Sequence, residues 1–200
     1  MIELVYPVEG TAPEIPSPKA ADVENPRAED AREEWFPVVE PTGEVVGISR
    51  RSYCHGGSMV LHPVVHLHIL DRQGRLYLQR RALDKDLLPG CWDTAVGGHV
   101  AYGEHIMEAL YRESGEELGF TEYNPVHICT YIFESARERE LVSVFAAVGS
   151  SFVLRPDPSE LMDGRFWTRE EIVSNMGNGT FTPNFESEYR AVSKQLYALL

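Results

Sequence analysis

Glu113, Glu116 and Glu117 are the residues of this chain whose types and spacing best suit chemistry. At helical spacing they project from one arc about 100° wide. Clustered carboxylates of this kind can hold hard divalent ions such as Mg²⁺, which take oxygen ligands and share a substrate's phosphate oxygens. Arg81 and Lys85 precede a glycine loop, where guanidinium and ammonium groups could bind a diphosphate; exposed surface charge is the equal alternative. His66 and His68 alternate along an apolar stretch and read as a sheet face covered by a helix or loop.

The glutamates need a helix to position them. The spacing predicts one from near Glu104, whose carboxylate favours the positive end of the dipole, to Gly119 as its C-terminal stop. Met107, Tyr111 and Leu118 give it an apolar stripe. Glu113 and Glu117 are like charges at i,i+4, and anions at a helix C-terminus oppose the dipole, so the placement costs stability. Arg112 offsets part of this through i,i+4 pairs with Glu108 and Glu116, and a bound cation would offset the rest. Three glutamates alone read as well as a solvated acidic face; the wider pattern decides.

That pattern is G-x5-E-x7-R-E-U-x-E-E-x-G-U, with U a bulky apolar residue, and it resembles the Nudix box. Gly98, Glu104, Arg112, Glu113, Glu116, Glu117, Gly119 and Phe120 match, and Ser114 departs at the first U position. The resemblance implies an α/β (α+β) fold, an α/β/α sandwich with a mixed sheet. It implies a hydrolase that directs water onto phosphorus of a nucleoside-diphosphate-linked or other diphosphate-containing small molecule, with Mg²⁺ or Mn²⁺. Glu113, Glu116, Glu117 and the Gly98 carbonyl would hold the metal, Arg112 would orient the glutamates, and Glu104 would position Arg112. The general base stays open between a box glutamate such as Glu113 and Glu138, Glu140 or Glu160 outside it.

Residues from about His55 to Phe185 also resemble the type I isopentenyl-diphosphate isomerases. The resemblance implies a second, transition-metal site of His55, His62, His99, Glu138 and Glu140, with Arg81 and Lys85 on the diphosphate. That family's catalytic cysteine falls at Gly97 and its carbocation-stabilising aromatic near Asn184, and Cys54 and Cys91 lie elsewhere. Hydrolysis is therefore favoured over isomerisation. A non-catalytic nucleotide-diphosphate sensor is the other rival, but a sensor has no need to keep every metal carboxylate.

The formal net charge of −13, from 18 basic and 31 acidic residues, argues against a nucleic-acid partner. Three cysteines form no CxxC pair and no apolar run reaches transmembrane length, which reads as a cytoplasmic chain without a membrane partner. The oligomeric state stays open. Residues 1–34, with nine acids and three bases, read as a Pro-rich acidic arm, partly disordered, in which Ile2, Leu4 and Tyr6 could add an edge strand. Residues 35–200 read as one domain. In it the expected strands are a hairpin over 35–49, then 64–70, 75–81, 125–133, 141–148 and 163–167. A capping box at Thr168–Glu171 opens a short helix, and Thr182-Pro183 opens a C-terminal helix with Phe185, Tyr189, Val192 and Leu196 on one face.

Overall fold

The computed structural model describes residues 1–7, 34–84 and 88–200. The expected α+β class is the one found, with a multi-stranded mixed sheet and few helices. A separate hairpin pairs β1 (Trp35–Val39) with β2 (Val45–Arg50), with a register shift between Val38 and Val39. A single helical turn, α1 (Arg51–Cys54), follows where a loop is expected from sequence. The larger sheet contains β3 (Leu61–Asp71), β4 (Leu76–Arg81), β5 (Trp92–Asp93) and β6 (Val96–His99). After helix α2 (Ile106–Leu118), it is completed by β7 (Val126–Glu134), β8 (Arg139–Gly149) and β9 (Leu161–Trp167). Its order is β5-β4-β3-β8-β7, with β6 on β3 and β9 on β4. Helices α3 (Arg169–Asn175) and α4 (Pro183–Tyr197) follow.

The chain forms two compact units. One holds Met1–Val64, His99–Ala109 and Thr130–Ser143; the other holds Val65–Gly98, Leu110–Cys129 and Val144–Leu200. In the first, Val5 makes one bridge to Glu44 in place of the edge strand, Leu4 is buried, and the Tyr6 hydroxyl donates to the Glu104 carbonyl at 3.0 Å. The rest of the acidic arm, residues 8–33, lies outside the described residues, as does Lys85.

In the second unit, α4 buries Phe185, Tyr189, Val192 and Leu196 as the spacing predicts, against Leu70, Leu76, Leu78, Trp167 and Ile172. Each such side chain contributes about 1.5–3 kcal/mol. Thr182 caps α4 by accepting from the Phe185 N–H at 3.1 Å, with Pro183 in the first turn. The Thr168/Glu171 capping box is formed in both directions.

Two expectations shift. Helix α2 begins at Ile106, two residues past Glu104, whose carboxylate accepts from the Ala101 N–H of the preceding turn at 2.9 Å. Its buried positions are Ile106, Ala109, Leu110, Ser114 and Leu118, while Met107 and Tyr111 remain half-buried. Ser114 replaces the apolar residue of the box without a packing fault, since its Oγ meets the Tyr123 hydroxyl at 2.9 Å.

Candidate active site

Gly98 lies on β6 rather than in a loop, and its lack of a Cβ is structural: a Cβ there would overlap the Glu113 carboxyl. Arg112 holds Glu113 at 2.8 Å and Glu116 at 3.1 Å, so the orienting role expected of the arginine has its geometry for two of the three glutamates. Glu116 is well exposed, whereas Glu113 is mostly covered. Glu104 sits before the helix, with its carboxylate on the Ala101 N–H.

Glu117 is strongly perturbed. Its Oε2 is closed off from water and meets no hydrogen-bond donor, although the residue as a whole keeps partial exposure. Burial pushes its carboxyl up to about 8, and the charges of Glu113 and Glu160 add to this, while the Gly97 backbone N–H opposes it. Glu160, weighed from sequence as a general base, is thus within electrostatic reach of the box. In the same unit, Arg81 at the end of β4 pairs with Asp93 at 3.5 Å. Burial raises the Asp93 carboxyl, opposed by Arg81 and His66.

The first unit brings His55, His62 and His99 together, with one ligand atom of each within 4.8 Å of the others. His55 Nε2 lies 3.0 Å from His99 Nε2. Glu138 Oε2 is 3.3 Å from His55 Nδ1, and Glu140 Oε1 is 4.0 Å from His99 Nε2. Glu138 precedes β8 and Glu140 lies on it, so the strand alternation expected to put both acids on one face covers Glu140 alone. Phe36 of the hairpin stacks on His99 with ring centroids 4.5 Å apart, and the Val60 carbonyl accepts from His62 Nδ1 at 3.1 Å. That bond turns Nε2 inward, where it is buried without a partner. Burial lowers His55 and His62 to about 4, with the neighbouring His62 adding to the effect at His55 and Arg51 at both, so the imidazoles are neutral near pH 7.

Sequence reasoning did not connect His66 and His68 to a named partner. Glu188 of α4 is that partner, with His66 Nδ1 and His68 Nε2 each 2.7 Å from its carboxylate. A glutamate three residues after Phe185 and four before Val192, on the buried stripe of α4, was the available signal. Asp93 carried no comparable mark, and Gly97 was marked only by the isomerase resemblance.

A family model described as the NUDIX domain matches residues 60–185. The chain belongs to the Nudix family. It is an enzyme of the Nudix hydrolase class. Its relatives there carry two kinds of name. It is 31% identical to an isopentenyl-diphosphate Delta-isomerase of Brevibacterium linens over 147 residues, 70% of this chain and 80% of that one. It is 30% identical to YfcD of Salmonella typhi, named an uncharacterized Nudix hydrolase, over 155 residues, 77% of this chain and 82% of that one. In fold it is similar to DR0079 of Deinococcus radiodurans, with a TM-score of 0.69 at 24% identity, over 80% of this chain and 99% of that one. Among the described residues no helix is long and apolar enough to cross a membrane.

Proposed function

We propose that this Nudix enzyme hydrolyses a nucleoside-diphosphate-linked or other diphosphate-containing small molecule by attack of water on phosphorus. The observation that carries this reading is the Glu117 Oε2, closed off from water and without a donor, with Glu113 and Glu160 raising its carboxyl further. An all-oxygen, strongly acidic donor set fits Mg²⁺ or Mn²⁺. Glu113, Glu116, Glu117 and the Gly98 carbonyl would hold the ion. Such an ion neutralises the diphosphate and lowers the pKa of bound water. Arg112 fixes the directions of Glu113 and Glu116, and Arg81, with Lys85 by resemblance, would take diphosphate oxygens. The general base would be a box glutamate such as Glu113, or an acid outside the box such as Glu138, Glu140 or Glu160. Three free thiols fit a reducing, cytoplasmic setting.

A second site belongs to the same reading. His55, His62, His99, Glu138 and Glu140 would hold a transition metal, because neutral imidazoles favour Zn²⁺, Mn²⁺ or Fe²⁺ over Mg²⁺. Isomerisation is the second function that this cluster and the isomerase relatives favour, but Gly97 supplies no thiol. The deciding experiment is a screen of nucleotide sugars, dinucleotides, ADP-ribose, dNTPs and prenyl diphosphates with Mg²⁺ or Mn²⁺ in ¹⁸O-water. Label on a released phosphate is the expected result. Prenyl-diphosphate isomerisation without phosphate release would overturn it.

A further inference from the structure

Adjacent glycines on β6 are present for different reasons. Gly98 is required by packing against Glu113. Gly97 is not: its φ lies outside the left-handed region, and a Cβ there would meet His66 Cδ2 at 3.5 Å, His66 Nε2 at 3.6 Å and Thr94 Cγ2 at 3.8 Å, all ordinary contacts. Gly97 is also exposed. A glycine inside a strand loses backbone entropy and packs nothing, and one reason to keep it is close approach of a ligand.

The space left by the missing side chain borders the His66 ring edge that carries Nε2. The other ring nitrogen is fixed, with Nδ1 2.7 Å from Glu188 Oε2, and Glu188 Oε1 lies 2.7 Å from His68 Nε2. Side-chain exposure is graded through this triad: 0% for Glu188 and His68 but 11% for His66. Of the three, then, His66 alone reaches the surface, and it does so beside Gly97. Asp93 lies within electrostatic reach of both His66 and Arg81. Gly97 also gives its N–H to Glu117, which links the opening to the acidic box.

We propose that the open face of Gly97 is a phosphate subsite, in which His66, positioned by Glu188, donates a hydrogen bond from Nε2 to a phosphate oxygen of the substrate. The carboxylate behind Nδ1 favours the doubly protonated ring, and an imidazolium donating to a phosphate is a strong, charge-assisted pair. Glu188 acts through His66 and touches no substrate. The subsite rests on the diphosphate-hydrolase reading.

The test uses the full chain with Mg²⁺ and methylenediphosphonate, a diphosphate that water cannot cleave. Imidazole ¹⁵N signals are followed through the titration, with His66 assigned from His66→Gln. The His66 Nε2 signal is expected to move saturably while that of His68 stays in place. Gly97→Ala is expected to bind the probe at least about tenfold more weakly, the loss of one charge-assisted bond, with Tm equal or higher. A Gly97→Ala protein that binds as tightly as wild type overturns the subsite. So does a probe that moves the Gly98 amide but not His66, and that result leaves the hydrolase reading intact. A probe that moves no signal at millimolar concentration overturns both.

Discussion

His55 and His99, 44 positions apart, meet Nε2 to Nε2 at 3.0 Å. Two imidazole nitrogens at that distance share either one proton or a common electrophile. With His62 Nε2 buried beside them and Glu138 and Glu140 at the margin, a bound metal ion would take up the lone pairs of the three imidazoles. Protein purified without chelator should therefore carry a transition metal by elemental analysis, and His62→Ala should lose most of it. Metal content that is absent, or the same in wild type and variant, rejects the site.

Glu113→Gln and Glu117→Gln should each lower kcat at least about 10²-fold at saturating Mg²⁺, the size of a lost electrostatic contribution at phosphorus. Neither should unfold the protein. Glu117→Gln in particular removes a carboxyl whose charged form burial disfavours, so its Tm should hold or rise. Wild-type turnover in both variants would remove the box as the catalytic site.

How much of this was legible in the sequence depends on how each element is specified. Helix α2 carries its pattern locally, so its glutamates and Arg112 could be read directly, to within two residues at its start. The strands of alternating or continuous apolar residues were also readable, although β3 runs three residues further at its start than its apolar core suggests and takes in His62. Strands β5 and β6, of two and four residues, are too short to show a period, so Gly98 read as loop. The Glu188 link to His66 spans 122 positions and joins a helix to a central strand. No local propensity encodes such a contact, and only the placing of polar residues on two otherwise apolar faces hints at it.

The acidic arm is expected to be dispensable for chemistry, and its first residues pack on the fold. Leu4 is buried, and the Tyr6 hydroxyl both donates to the Glu104 carbonyl and accepts from the Gly103 N–H at 3.0 Å. A chain starting at Trp35 should keep its metal dependence and kcat yet lose about 2 kcal/mol of stability, the burial of one leucine. Urea denaturation of both forms measures this, and equal midpoints would show that the segment adds nothing to the fold.

Ser114 and Tyr123 form a polar pair where the family pattern expects an apolar side chain. Ser114→Ala should cost about 1 kcal/mol, the net worth of a hydrogen bond that leaves Tyr123 a second acceptor in the Leu110 carbonyl at 3.4 Å. Ser114→Leu, which restores the pattern, should cost more, about 1–3 kcal/mol, because the site is fully buried and already filled. A Leu variant as stable as wild type would show unfilled space beside α2.

Glu188 gives the fold an acid-sensitive point. Burial by itself would raise its carboxyl, but His66 and His68 outweigh that and hold it below the usual range. In the unfolded chain the same group titrates near ~4.3. As pH falls through that value, the unfolded state takes up the proton first, so stability fully present above about pH 5 drains away below about pH 4. Glu188→Gln should show a flatter profile. It should cost about 3 kcal/mol at pH 7, since one amide cannot accept from both histidines and a buried charged partner is gone. It should also lose much of the acid dependence, so that the two stability curves approach each other on acidification. Denaturant titrations at pH 7, 5 and 4 read both effects. A constant gap between the curves over that range would mean that Glu188 keeps its proton equilibrium unchanged on folding, and that His66 and His68 do not stabilise its charge.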